Sequence, residues 1–241
     1  MTVYITLPNK DRSVLPNQRG TSNFTVKLAE TLSFPGDWEC FLVSATIPYT
    51  WTNVSERNNT LILSGTTKRT TLRLKPGNYD SVDTLLSAIR TLIDDSSVTI
   101  TVSPTTMRTL VSLNHGKTIE GSLLEILGFP IDKQLLGGML NESDNLVDIT
   151  GGFNSILVYL SIIENTNVGS YKVPLLETIP IGNANPGDII HWSVTGPDYQ
   201  GHRLKTRSFQ SVEVDIRDTL GRAIDFNKYS LQIKIGFRQT Q

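Results

Sequence analysis

Few residues in this chain are of a type and spacing that could do chemistry. Gly116-Lys117-Thr118 has the form of the back half of a phosphate-binding loop, in which glycine amides cradle phosphate oxygens and the lysine reaches the terminal phosphates. The front glycine of such a loop would fall at Val111, and the flanking pattern is a pair of strands rather than a strand running into a helix. Nucleotide binding is therefore not expected. His115, His191 and His202 lie too far apart in sequence for a compact ligand motif, and a metal-holding β-roll enzyme would need several clustered on strands. Asp94-Asp95 ends a helical pattern, where two acids read as a solvated terminus. Asn141 to Asp148 lacks the strict alternation and closing Glu of a calcium loop. There is no Gly-x-Ser-x-Gly elbow. The single cysteine, Cys40, can form no internal disulfide, and within Trp38 to Val43 it reads as a small core residue. The expectation is a chain that is not an enzyme and holds no cofactor or metal.

Aromatic and arginine side chains near loops are the stronger signal, because these types anchor protein interfaces. Tyr49 and Trp51 close one apolar run, while Trp192, Tyr199, Arg203 and Arg207 flank a long loop. These six are the candidate interface residues. A second reading stays open for Trp51 and Trp192, as plugs at the ends of a barrel. The polar, turn-rich stretch Pro8 to Gly20 is read as a mobile arm or loop that could order against a neighbouring subunit.

The elements that must position these residues are mostly strands. In Phe209 to Arg238, Val212, Val214 and Ile216 alternate with polar residues, and so do Leu231, Ile233, Ile235 and Phe237; a period of two places each set on one face. Between them, Asp218 can accept from nearby amides and Gly221 can take a positive φ. Phe24, Val26 and Leu28 repeat the alternation. Trp38 to Pro48 is a long strand that ends or reaches a sheet edge at its proline. Shorter strands are expected at 60–63, 70–74, 98–102, 109–113, 173–179 and 189–194. Ser155 to Ile163 is too continuously apolar for one-sided exposure and belongs in the middle of a sheet. Val82, Leu85, Leu86, Ile89 and Ile93 fall at helical spacing, with Asp80 or Ser81 as N-cap. Ser122 to Leu127 reads as a short helix stopped by Gly128, and Leu135 to Gly152 as loop. Ten to twelve short strands and two helices favour a sandwich, jelly roll or barrel over βαβ units.

Bulk properties narrow the partners. A chain of 241 residues fits one large β domain. Its net charge of -1 lacks the basic field of a general nucleic-acid binder, so no direct nucleic-acid contact is expected. Charged residues make up 19%, below the usual share of about 25%, as suits a surface partly covered by neighbours. No apolar run approaches the ~18 residues of a membrane span.

Several of these segments also resemble one family. Ile216 to Arg222 reads Ile-Arg-Asp-x-x-Gly-Arg; a Leu/Ile-rich strand ends in Ile163-Glu164; Val168-Gly169 is followed by Val173-Pro174-Leu175-Leu176. Upstream, Gly36-Asp37-Trp38-Glu39 leads into a strand ending at Ile47, Pro48 and Trp51, and Leu127-Gly128-Phe129 follows the second helix. In this order and spacing, across most of the chain, they resemble the penton (minor capsid) proteins of Polinton/Maverick elements and adintoviruses, relatives of adenovirus-type double-stranded DNA viruses. The resemblance implies an all-β, single jelly-roll β-sandwich with helical insertions, one domain over 1–241 with a helix-containing insertion at 77–140. It further implies a homopentamer at capsid vertices beside a double-jelly-roll major capsid protein, residing in the virion after synthesis in the host cytoplasm and assembly in the nucleus. A trimeric β-sandwich module that binds a receptor or glycan is the alternative.

Overall fold

The computed structural model describes residues 2–194 and 199–240. The chain divides into two compact units, Met1–Trp51 with Phe153–Gln241, and Thr52–Gly152. The first unit opens with β1 (Thr2–Pro8), β2 (Asn23–Ser33) and β3 (Trp38–Pro48). The second unit follows with β4 (Thr60–Ser64), β5 (Arg69–Arg73), α1 (Val82–Ile93), β6 (Val98–Val102), β7 (Arg108–Leu113), β8 (Thr118–Glu120), α2 (Leu123–Ile126), β9 (Leu135–Leu136) and β10 (Leu140–Leu146). The first unit resumes with β11 (Ser155–Leu160), β12 (Thr166–Val168), β13 (Tyr171–Val173), β14 (Leu175–Pro180), β15 (Ile189–Ser193), β16 (His202–Arg203), β17 (Ser208–Asp218) and β18 (Gln232–Gln239).

Strand pairing in the first unit is nested. β1 pairs with β18, β2 with β17, β3 with β15, and β11 with β14, all antiparallel. An antiparallel ribbon so paired, first strand to last, and then wound on itself gives two facing sheets, here β1-β18-β3-β15 and β14-β11-β17-β2. That connectivity is the single jelly roll. The inward positions of both sheets form one core, including Phe24, Val26, Ile156, Val158, Val212, Val214, Ile216, Ile233, Ile235 and Phe237, all buried. Each such side chain contributes on the order of 1.5–3 kcal/mol by leaving water. Leu42 and Ala45 both point inward although three residues apart, because the β18–β3 register shifts at Lys234/Ile235 and the extra residue restores the phase.

The two terminal strands enter opposite sheets, β17 in one and β18 in the other. The turn after β17 is organised by Asp218, whose carboxylate accepts from the Leu220 and Arg222 amides at 2.9 and 2.8 Å and from Arg222 Nε at 2.6 Å. Gly221, at φ 77°, takes the left-handed position that the turn requires. β11 lies between β14 and β17, inside its sheet, as its apolar run implied. Pro8 to Gly20 folds as a packed loop. Val14 is 1% exposed and bridges Val26, and the Asn9 side chain accepts from the Leu231 amide at 2.8 Å.

The second unit has its own buried cluster, built from α1, α2 and two sheets, β10-β7-β6 and β5-β4-β8-β9. Ser81 caps α1 by accepting from the Thr84 amide, and Leu85, Leu86, Ile89 and Ile93 are its buried stripe. This unit extends beyond the helix-containing stretch at 77–140, because β4, outside that stretch, pairs with β8 inside it and with β5 on its other side, and β10 pairs with β7. β9 and β10 stand where the sequence reads as loop. β10 has no apolar alternation, and its ladder to β7 holds it, with the buried Ser143 hydroxyl accepting from the Thr109 amide at 2.9 Å.

Asp218→Ala removes three hydrogen bonds at a residue that is 3% exposed, and is expected to cost about 1–3 kcal/mol of stability. Urea unfolding checks this; a loss under about 0.5 kcal/mol would mean that the strand ladders alone set the turn.

Candidate interaction surfaces

Lys117, Asp95 and Cys40 are engaged by local structure, while His115 and His191 are exposed. Lys117 leaves its glycine turn to meet Asp95 Oδ2 at 2.5 Å, and it also bonds Ser97; together with the Ser97 amide and hydroxyl, this holds the Asp95 carboxyl far below its ordinary range. Thr118 then starts β8, so no helix N-terminus follows the glycine. Cys40 is fully buried, and that burial pushes its thiol well up. Among the described residues no three His, Cys, Asp or Glu side chains converge on a point, and no helix is long and apolar enough to cross a membrane.

The six candidate interface residues do not form one surface. Tyr49 and Trp51 stack at 4.1 Å between ring centres and are 6% and 4% exposed, with Phe153 and Phe226 against Trp51. Both lie in the core cluster of the first unit. Trp192 is half-buried on β15, opposite Ala45 of β3. Arg207 is exposed and reaches Asp37 at 3.8 Å, both side chains well solvated, a contact worth little by itself.

Tyr199 and Arg203 belong to a strap within the long loop expected from Thr195 to Ser208; residues 195–198 of that loop lie outside the described residues. Tyr199 lies on Phe41, ring centres 4.4 Å apart, on the outer face of the five-stranded sheet. Phe41 also carries the Arg238 guanidinium over its ring at 5.6 Å, and Arg238 is paired with Glu39. Gly236 makes room for the ring, since a Cβ there would come within 2.5 Å of Phe41 Cζ. Further along, β16 pairs with Cys40 and Glu39 of β3, while the Glu164 amide donates to the Arg203 carbonyl and the Lys205 amide to that of Ile162. The strap thus ties the edge of one sheet to the segment that follows β11 in the other.

His202 sits at that tie, 8% exposed, with Nε2 unpartnered and buried. Its burial pushes the imidazole below its ordinary range, while a hydrogen bond to the Leu176 carbonyl and the carboxylates of Glu177 and Glu39 pull the other way.

On the opposite outer face, that of the four-stranded sheet, β11, β17, the β12–β13 hairpin and the turn after Asp218 line a groove of about 670 Å³. Its floor is apolar, with Leu157, Tyr159, Val173 and Leu220, and its polar wall holds Glu213, Asp215 and Arg217. Arg217 Nε donates to Asp215 Oδ2 at 2.8 Å. Partial burial pushes the Tyr159 phenol up; Asp215 adds to the shift and Arg217 opposes it. The candidate list missed this groove, yet a signal was present: the run Ser155 to Leu160 carries Leu157 and Tyr159 at outward positions, where an ordinary one-sided strand would carry polar groups.

The fold is an all-β jelly-roll sandwich. Over 100% of both chains, the structure is similar to the crystal structure of the selenomethionine-labelled mavirus penton protein, with a TM-score of 0.54 and 9% sequence identity. At that identity the likeness is one of fold. Neither a family model nor a curated protein matches the sequence.

Because the folded His202 resists protonation, the unfolded chain binds more protons between the folded pKa and the ordinary value near 6.5. Stability from this site is expected to be fully present above that value and to fall as pH drops below it. His202→Gln should flatten the decline between about pH 7.5 and about pH 5. Urea midpoints of both proteins decide; parallel declines would assign the pH sensitivity to other groups.

Proposed function

We propose that this chain is a structural capsid protein, the penton or minor capsid protein that forms pentameric vertex capsomers of an icosahedral double-stranded DNA virus or virus-like transposon. The observation that carries the reading is the end-to-end likeness to the mavirus penton fold, spanning all of both chains. The sequence pattern adds to it. The Ile216 to Arg222 turn, the Ile163-Glu164 strand end and the Trp38 to Trp51 segment resemble pentons of Polinton/Maverick elements and adintoviruses. Lys117 and Asp95 are paired with each other, Asp218 organises a turn and Cys40 is buried, which suits a part that assembles rather than catalyses.

In this role the partners are four further copies of the chain and a double-jelly-roll major capsid protein. The site of residence is the vertex of the virion shell, with synthesis in the host cytoplasm and assembly in the nucleus.

Light scattering on the eluted protein and negative-stain imaging test the reading, each done alone and with the major capsid protein. Five-membered rings are the expected outcome. A chain that stays monomeric under both conditions would overturn it, and threefold particles that bind a glycan array would replace it with a trimeric receptor- or glycan-binding module.

A further inference from the structure

The two outer faces of the jelly roll have opposite chemistry. The strands of the five-stranded sheet carry three basic residues, Arg203, Lys234 and Arg238, and one acidic residue, Glu39, which Arg238 already engages. Besides Asp218, which is buried in its turn, the strands of the four-stranded sheet carry four acidic residues, Glu30, Glu177, Glu213 and Asp215, and only two basic ones, Lys27 and Arg217. The shapes differ as well. On the first face, buried Ile233 and Ile235 flank Lys234 and turn it outward, where its ammonium lies 5.3 Å from the ring centre of Tyr4. Tyr4 is 52% exposed, so the pair is a solvated aromatic knob topped by a cation. On the second face is the groove of about 670 Å³, apolar in its floor and walled by Glu213 and the Asp215–Arg217 pair. Leu220 and Tyr171 at its rim are 65% and 73% exposed, which leaves the apolar surface open.

We infer that the groove of one copy receives the Tyr4–Lys234 knob of the next, with Tyr4 on the apolar floor and the Lys234 ammonium at the Glu213 carboxylate. A single chain cannot make this contact within itself, because knob and groove lie on opposite faces of one sandwich. A second copy can make it, and then has its own groove left to fill. Contacts between two different faces of like subunits are head-to-tail, and where the rotation closes they generate rings. The inference rests on the ring assembly proposed above and names the surface that makes it. Charge complementarity of this kind sets partner choice and register more than total affinity.

Lys234→Glu and Glu213→Lys place like charges across every contact of the ring, while the double variant restores opposite charges in reversed order. The concentration at half-assembly, read by light scattering, is expected to rise at least about tenfold in each single variant and to return toward the wild-type value in the double variant. Tyr4→Ser, which leaves all charges in place, is expected to weaken assembly as well. Unchanged thermal midpoints establish that these exposed substitutions leave the fold intact. Rings that form equally well in both single variants would overturn the knob-and-groove contact and leave the capsid reading standing. A wild-type chain that never self-associates, even with the major capsid protein, would overturn both.

Discussion

The pairing of Thr2–Pro8 with Gln232–Gln239 is the constraint on which the rest of the structure depends. It joins the two ends of the chain, and every other long pairing nests inside it. Contacts between residues so distant in sequence carry a large chain-closure entropy, and they are repaid only when many form together. The core supplies the repayment, since the inward rows of both sheets meet in one continuous cluster. A sandwich closed this way has little freedom to slip, because moving a strand by one residue would turn its whole apolar row to water.

That closure also explains how one chain accommodates a second unit. Thr52–Gly152 enters between β3 and β11 and brings its own buried cluster, so it asks nothing of the jelly-roll core. The nested pairs tolerate so long a connection because its length affects closure entropy only logarithmically. The strap from Tyr199 to Lys205 plays a different part. It covers Phe41 on the outside of one sheet, and it bonds to residues 162–164 beyond β11, so the five-stranded sheet is stitched to the four-stranded one at its margin. Buried His202 lies at that stitch, its imidazole held below its ordinary range by burial.

The two outer faces of the jelly roll differ in chemistry. One is basic and bears the projecting Tyr4–Lys234 pair; the other is acidic and concave. Identical faces favour closed twofold pairs between like subunits, whereas two different faces permit head-to-tail contacts.

Much of this was legible in the residues. Alternation in Val212–Ile216 and Ile233–Phe237 is a local property of the pleat, so it can be read without knowing the partner strand. The α1 stripe and its Ser81 cap are equally local, and so is the Asp218–Gly221 turn, where a carboxylate bonds amides two and four residues away. Three things lay beyond that reach. β10, with Asn, Glu, Ser and Asp at successive positions, is a strand only because β7 offers it a ladder. Tyr49 and Trp51 are core rather than surface because Phe153 and Phe226, more than a hundred residues away, close around Trp51. The groove exists because β11, β17 and the β12–β13 hairpin converge, which no single segment encodes. The sequence by itself determined which residues face inward and where the chain turns, since these follow from short-range periodicity and hydrogen bonding. Tertiary structure decided which aromatic side chains remain exposed and where the two charged faces lie, since exposure depends on what distant segments cover.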